Sequence, residues 1–162
     1  MRLANREILS QEQLKQVLQH CQVCHVAFCQ ENCPYVVPLN FGYQLDETGK
    51  LTLYFHGASK GTKLDMLRAN PQVAFSMESG ATIVTGDTPC QFSCHYQSIA
   101  GTGTALLLED LEEKRHALNR IMEHYTAQES FSYPDAAVQN LTVFQIQVQQ
   151  YSGKQNPVSR KD

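Results

Sequence analysis

Two stretches of the chain alternate between apolar and polar side chains, and this pattern constrains the fold more than any other feature. In residues 51–56, leucine and phenylalanine alternate with threonine, tyrosine and histidine. In residues 142–149, phenylalanine, isoleucine and valine alternate with glutamine. Successive side chains of a β-strand point to opposite faces, so this period of two predicts a strand in each stretch.

Four further segments have the composition of strands, and turn-forming residues separate them. Glu31 and Asn32 predict a turn after the first of these segments, and the sequence DETG at 46–49 predicts a hairpin turn after the second. Gly101 and Gly103 predict a bulge or bend inside the longest one. The four predicted strands are residues 23–28, 34–43, 73–77 and 92–108.

Three segments are predicted to be helical. The first follows Ser10, whose spacing to Gln13 is that of a capping box. The second is short and covers residues 62–68, and the third begins after Asp110 as its N-cap. Apolar residues of the third helix fall on one side, which is predicted to face the core: Leu111, Leu118, Ile121, Met122 and Tyr125.

Hairpins dominate this arrangement, and no alternation of strand, helix and strand is visible. The predicted fold class is therefore mainly β with flanking helices: an antiparallel sheet of about six strands that can close as a barrel. Residues 1–153 are predicted to form a single domain, since no repeat or linker divides them, and residues 154–162 to form a loose polar tail. Residues 79–91 are predicted to be a loop.

Composition excludes several classes of function. The chain has 162 residues, of which 42% are hydrophobic and 18% charged, and its net charge is −3. A general nucleic-acid-binding protein would carry a basic surface, so that class is not expected. No apolar run is long enough to span a bilayer, and the first residues lack the apolar region of a secretion signal. We therefore expect a cytoplasmic protein.

Six cysteines raise the question of haem or metal binding. Cys21, Cys24 and His25 form C-x-x-C-H, the attachment motif of c-type haem, but no export signal accompanies it. A tetrahedral zinc site could use Cys21, Cys24, Cys29 and Cys33. Cys24 and Cys29 would, however, point to opposite faces of an extended segment. We therefore expect reduced thiols in the core or at strand edges, and no metal site.

The sequence YFHGASKGTK at residues 54–63 has the composition of an anion-binding loop before a helix. Backbone N–H groups at a helix start lack partners and favour an anion. Lys60 and Lys63 add positive charge, and Gly57 and Gly61 allow the backbone to come close to a bulky group. A phosphate would fit this pattern, although a solvated loop with two surface lysines would look the same, because no Walker or Rossmann motif is present.

A second stretch, YVVPLNFGY at residues 35–43, is a strand interrupted by Pro38 and carrying Asn40 among apolar residues. Proline removes one hydrogen-bond donor from a strand, which favours an edge or bulged position. Such a strand leaves main-chain groups free to meet the polar rim of a flat ligand, although a kinked edge strand without a ligand has the same pattern.

Four segments in this order and at this spacing, VPLNFGY, LYFHGASKGTKLDML, CHYQSIAGTG and IMEHY, are similar to a known family. The chain resembles the nitroimidazole-resistance branch of the pyridoxamine 5'-phosphate oxidase-like flavoproteins from about residue 6 to residue 153. The resemblance implies a split β-barrel that binds FMN, and a homodimer that holds the flavin between its subunits.

The resemblance also implies roles for individual residues. The ring of FMN would lie along residues 38–41, and the strand end at 54–57 would extend that contact surface. Two lysines would bind the phosphate. A serine of the long strand would add a contact. A histidine after the third helix, with Tyr125 beside it, would add another, either within the same subunit or from the partner subunit. The implied cofactor-binding residues are Pro38, Leu39, Asn40, Phe41, Tyr54, His56, Gly57, Lys60, Lys63, Ser98 and His124.

The implied activity is transfer of electrons from a reduced nicotinamide, through FMN, to a small acceptor such as a nitroaromatic 5-nitroimidazole. No catalytic residue can be named from the sequence. Gln97 stands where the family often has arginine, which removes a charge from any anion contact there. Two alternatives remain open: a flavin-binding protein without turnover, and a haem-binding split barrel with His25, His56 or His124 as axial ligand.

Overall fold

The computed structural model describes residues 4–128 and 130–156. Eight strands lie among these residues: β1 (Glu7–Ile8), β2 (Cys24–Gln30), β3 (Cys33–Leu39), β4 (Gly42–Leu45), β5 (Leu51–Gly57), β6 (Gln72–Val84), β7 (Ser93–Leu108) and β8 (Thr142–Asn156). Four α-helices lie among them: α1 (Gln11–His20), α2 (Thr62–Ala69), α3 (Leu111–Tyr125) and α4 (Asp135–Asn140). No helix in this described part of the chain combines the length and apolar character needed to cross a membrane.

The predicted helix starts are confirmed. The backbone N–H of Gln13 donates to the Ser10 hydroxyl at 3.5 Å, which caps α1. At α3, the Asp110 carboxylate accepts from the N–H groups of Glu112 and Glu113 at 2.9 and 3.0 Å. Each cap satisfies donors that have no partner within the helix, so these side chains determine where the two helices begin.

The predicted turn between β2 and β3 and the predicted bulge of β7 are also confirmed. Glu31 and Asn32 have φ values of 50° and 62°, the left-handed conformation that a tight hairpin requires. The register between β7 and β8 shifts between Thr102 and Gly103. A side chain at 103 would bring a β-carbon within 2.5 Å of the Gln147 carbonyl oxygen, so the two strands approach closely there.

One antiparallel sheet contains all the strands, in the order β3-β2-β6-β7-β8-β5-β4, with β1 paired to β8. The prediction of a mainly β fold with an antiparallel sheet and flanking helices is confirmed. The sheet has eight strands instead of the six expected, because the segment predicted as one strand over residues 34–43 forms two and because β1 was not predicted. Leu39 ends β3, Gly42 begins β4, and these strands lie at opposite ends of the order.

Two other expectations were wrong in extent, and one helix was not predicted. The predicted loop at 79–91 contains the end of β6, which continues past Gly80 (φ 65°) through a register shift between Ser79 and Thr82. Strand β8 continues to Asn156, three residues into the predicted tail, and the rest of that tail lies outside the described residues. Helix α4 was not predicted. Its six residues are too few for an apolar period to be visible.

The face of α3 that packs on the sheet differs from the predicted one. Leu118 and Ile121 are buried as expected, whereas Met122 is 38% and Tyr125 40% exposed. Lys114 is buried instead, and its ammonium donates to the carbonyls of Leu141 at 3.0 Å and Gln139 at 3.5 Å. A buried cation with carbonyl partners joins α3 to the end of α4, a contact that hydrophobic periodicity does not reveal.

Buried apolar residues form two clusters. The larger fills the interior of the curved sheet and includes Phe28, Phe55 and Phe144. The rings of Phe55 and Phe144 stack with centroids 5.0 Å apart. The smaller cluster lies between α3 and the outer side of β5 and β8, and it contains Tyr54, Leu108, Ala117, Leu118, Ile121, Val138 and Val143.

Helix α3 crosses β4 at Gly42. A β-carbon at that position would lie 2.4 Å from the carbonyl carbon of Arg120 and 2.4 Å from the backbone nitrogen of Ile121. The backbones of helix and strand therefore touch directly, and any larger residue at 42 would push the helix away from the sheet.

The two edges of the sheet are joined by only two residues, Asn40 and Phe41, so the sheet must roll up. We call the line along which the two edges meet the seam. Side chains at the end of α3 hold it together. The Tyr125 hydroxyl donates to the Gln22 carbonyl at 2.5 Å and accepts from the Phe41 N–H at 3.1 Å. Nε2 of His124 donates to the Cys21 carbonyl at 2.7 Å. These bonds connect the segment before β2 with the β3–β4 turn.

The His124 contact predicts a pH-dependent stability. Burial lowers the pKa of His124 from its ordinary value of 6.5, against the smaller opposing effect of its bond to the Cys21 carbonyl. The unfolded chain then binds the proton more readily, so the free energy of unfolding falls as the pH drops below about 6.5. We expect denaturant unfolding to show lower stability at about pH 5.5 than at about pH 7.5. His124→Gln should reduce this difference.

The matched control is His20→Gln, which removes an exposed histidine from α1 and measures the effect of losing a histidine elsewhere. Equal stability of the unmodified protein at the two pH values would contradict the prediction. So would a His124→Gln variant that keeps the whole pH dependence.

Candidate functional site

The loop between β5 and α2 places the two predicted lysines at the start of a helix. Gly61 is the N-cap of α2, with φ 133° and no side-chain capping bond, so the first N–H groups of α2 have no capping partner from that residue. Lys60 is exposed and Lys63 is half-buried. Two cations and a helix N-terminus thus lie together, as an anion-binding loop requires.

Gly57, the last residue of β5, makes room for one of these lysines. A β-carbon at position 57 would lie 3.1 Å from Nζ of Lys63 and 3.2 Å from its Cε. The ammonium group therefore folds back over the end of β5, into space that any side chain at 57 would take.

His56 lies next to this lysine. Its side chain is exposed, yet its pKa is lowered, first by partial desolvation of the ring and then by the positive charge of Lys63. The imidazole is therefore neutral at pH 7 and can hydrogen-bond to a ligand without adding charge.

The β3–β4 turn leads into the partner strand of β5. Gly42, the first residue of β4, pairs with Tyr54 in an antiparallel ladder, three residues before Gly57 ends β5. Asn40 lies two residues before that pair. The prediction that Pro38 lies in an edge strand is confirmed, because β3 is at one end of the sheet.

The residues of this turn differ in what they offer to a ligand. Pro38 and Asn40 are exposed, and Leu39 is half-buried against the main core. Phe41 is fully buried, and its ring packs on the ring of His124 with centroids 4.6 Å apart. The side chains of Pro38 and Asn40 are thus free for contact, whereas Phe41 belongs to the seam.

Tyr54 and His124 lie behind this surface. Tyr54 is 6% exposed beneath α3, where its hydroxyl donates to Oε1 of Gln44 at 3.3 Å and its ring meets that of His116. His124 lies between Phe41 and Tyr43 and lines a different cavity. The structure therefore separates these two side chains from the exposed residues of the loop, and their predicted contact with a cofactor stays a prediction.

Ser98 is far from the loop within one chain. It pairs with Lys154 of β8, and its hydroxyl donates to the Lys154 carbonyl at 3.5 Å, whereas Gly57 pairs with Thr142 at the other end of β8. Twelve residues separate Thr142 from Lys154, which is about 40 Å along a strand. A single chain thus does not bring Ser98 to Lys63.

Pro38 and Ser98 do share one face of the sheet. In the sheet, Pro38 pairs with His25, His25 pairs with Ser76, and Ser76 pairs with Ala100. Paired residues point to the same face, and so do residues two apart on one strand, such as Ala100 and Ser98. We call this the outer face. Its central residues are small and exposed: Ala74, Ser76, Ala100, Thr102 and Ser152.

The outer face was missed at the level of sequence, although its signal was present. Small residues occupy alternate positions of two neighbouring strands, at 74 and 76 of β6 and at 100 and 102 of β7. Small side chains on a flat sheet allow another surface to approach closely. The pattern was recognisable only once the pairing of the two strands was known.

The sequence predicts reduced thiols and no metal site. All six cysteines are free, with Cys21 and Cys24 buried and Cys33 and Cys90 exposed. Burial raises the pKa of Cys21 to about 11, which keeps it protonated. Within residues 4–128 and 130–156, no group of three or more histidine, cysteine or acidic side chains is placed to hold a metal ion.

Comparison with known structures shows the same fold in other proteins. A crystal structure of a proposed 5-nitroimidazole antibiotic resistance protein from Bacteroides thetaiotaomicron is 38% identical, with a TM-score of 0.78 over 91% of this chain and 85% of that one. The FAD and haem binding protein of Mycobacterium smegmatis is 19% identical, with a TM-score of 0.82 over 97% of this chain and 76% of that one. An FAD-binding protein of Mesorhizobium loti is 25% identical, with a TM-score of 0.62 over 92% and 96%.

Sequence comparison leads to the family. An uncharacterised protein of Rhizobium meliloti, RA0666, is 26% identical over 102 residues, which cover 57% of this chain and 64% of that protein. The family model for pyridoxamine 5'-phosphate oxidase matches residues 10–155, from the cap of α1 to the end of β8. The chain therefore belongs to the pyridoxamine 5'-phosphate oxidase family of split-barrel proteins.

Proposed function

We propose that this protein binds FMN and passes electrons from a reduced nicotinamide to a small acceptor, with 5-nitroimidazoles as candidate acceptors. The observation that carries the proposal is the ammonium of Lys63 lying over Gly57 at the uncapped start of α2, beside the β3–β4 turn. The 5-nitroimidazole resistance protein at 38% identity supports the acceptor class, and the FAD-binding relative at 25% supports a flavin.

The residues present fit FMN. Lys60, Lys63 and the first N–H groups of α2 would hold a terminal phosphate by charge-assisted hydrogen bonds. Pro38 and Asn40 would line the ring, with neutral His56 between ring and phosphate. A bound flavin supplies the transfer of hydride or electrons. The chain positions it, and Lys63 balances the charge of its phosphate.

We also propose that the working form is a homodimer with the cofactor at the subunit interface. Ser98 lies about 40 Å along β8 from the strand pair that contains Gly57, so a second copy is needed to bring a serine of this strand to the loop. The outer face, whose central residues are small and exposed, is the surface on which two copies would pack. Free thiols and the nicotinamide donor support a cytoplasmic location.

The first test is the spectrum and turnover of the purified protein. We expect the two absorption bands of oxidised flavin, bleached anaerobically by reduced nicotinamide and restored by a 5-nitroimidazole. The order of addition separates binding from turnover. Flavin bands that reduced nicotinamide does not bleach would establish a binding protein without this activity, and a Soret band would establish the haem alternative. Either result would overturn the proposed reaction.

The second test concerns the loop. Lys63→Ala should weaken FMN binding about tenfold, because it removes a charge-assisted hydrogen bond that contributes about 1.4 kcal/mol. The double change Lys60→Ala/Lys63→Ala should lower the affinity for FMN further. Thermal unfolding of the flavin-free protein should change little, because neither lysine is part of the core. Lys50→Ala, in the 46–50 turn away from the loop, is the matched control. Unchanged FMN content in the double variant would exclude this loop as the phosphate site.

The third test concerns the dimer. Ala100→Arg places a long cation at the centre of the outer face, and we expect it to convert a species of twice the chain mass of 18.2 kDa into the monomer, with loss of flavin. Ala69→Arg, the same change at the exposed end of α2, should leave the mass unchanged. Light scattering after gel filtration measures both. A monomeric unmodified protein, or a dimeric Ala100→Arg variant, would contradict the proposed interface.

A further inference from the structure

A second candidate binding site lies outside the proposed flavin site. A cavity of about 410 Å³ opens between α1, β4 and the end of α3. Its lining is mostly polar, and its polar side chains are Lys15, Gln19, Gln44, Arg120, Glu123 and His124. A concave space of this size with convergent polar groups is characteristic of a small-molecule site.

The charges in this cavity are mixed. Lys15 of α1 is exposed and reaches it from one side. From α3, the Arg120 guanidinium donates to Glu123 at 3.0 Å, and the Glu123 side chain remains 40% exposed. Two cations thus face one carboxylate that is accessible to a ligand. The lining therefore offers charges of both signs to a ligand, and its excess of positive charge disfavours a simple cation.

His124 adds a neutral acceptor to the same wall. Its Nε2 carries the proton, because that nitrogen donates to the Cys21 carbonyl at 2.7 Å. Burial lowers the pKa of this histidine, so the ring is uncharged at pH 7 and its other nitrogen holds a lone pair. The amide groups of Gln19 and Gln44 can donate as well as accept. The cavity therefore matches a ligand that carries both an anionic group and hydrogen-bond donors.

We propose that this cavity binds a small zwitterion of the amino-acid class, with its carboxylate at Lys15 and Arg120 and its ammonium at Glu123. An arginine fork and a lysine suit a carboxylate, and the exposed oxygens of Glu123 suit an ammonium group. The glutamine amides and His124 complete the polar contacts around it.

Within one chain, the cavity lies away from the lysine loop. Leu45, at its edge, pairs with Leu51 at the beginning of β5, whereas Gly57 ends β5 beside the lysine loop. Six residues of strand separate Leu51 from Gly57, which is about 20 Å. A ligand in the cavity therefore does not displace a group held at Lys63, and the inference does not depend on the proposed electron transfer.

The test is isothermal titration of the purified full-length protein, with whatever flavin it carries, against each of the twenty common amino acids. We expect at least one to bind with a dissociation constant below about 1 mM. For that amino acid, the analogue without the amino group and the analogue without the carboxylate should each bind at least about tenfold more weakly. Binding of the simple carboxylate with equal affinity would overturn the zwitterion assignment.

Two variants then locate the site. Lys15→Met and Glu123→Gln should each weaken binding about tenfold, whereas the matched changes Lys50→Met and Glu47→Gln, in the turn at 46–50, should not. Flavin absorbance is measured in the same samples and should be equal in all four, which separates this site from the flavin site. Absence of binding by all twenty amino acids, or binding that Lys15→Met and Glu123→Gln leave unchanged, would overturn the proposal.

Discussion

The fold depends on one covalent constraint: two residues, Asn40 and Phe41, connect strands that lie at opposite edges of the same sheet. A flat sheet cannot satisfy so short a connection, so the sheet rolls until the edges meet. No ladder between β3 and β4 closes the seam in the described residues. Side chains close it instead, through the Tyr125 hydroxyl and the His124 ring at the end of α3. The barrel is split at this point.

The seam also arranges the two candidate sites. Rolling the sheet brings the β3–β4 turn to the start of the β4–β5 ladder, so Asn40 lies two residues before the Gly42–Tyr54 pair and Gly57 lies three residues after it. The helix that holds the seam must cross β4 closely, which Gly42 permits. Where the end of α3 overhangs β4 and α1, a polar cavity remains. The position of the β3–β4 turn and the cavity are thus two consequences of one closure.

Local interactions explain which predictions succeeded. Ser10, Asp110 and the Glu31-Asn32 turn act within a few residues, so their effect can be recognised without knowing the rest of the chain. The errors lie where distant pairing decides. Residues 34–43 have uniform strand composition but divide between two edges, and β8 continues into the predicted tail as far as Asn156 because it pairs there with β7. Only half of the α3 face was predicted, because Lys114 finds carbonyl partners near the end of α4.

The sequence by itself determined that the chain is a mainly antiparallel β protein of this family and that the 54–63 segment carries two lysines at a helix start, since periodicity, caps and motifs are local properties. Only the tertiary structure decided which candidate residues share a surface. It buried Phe41 and Tyr54, placed His124 in the seam, and left Ser98 about 40 Å along β8 from the lysine loop. Side-chain environment depends on which strands pair and which helix covers them, and those contacts join residues far apart in the chain.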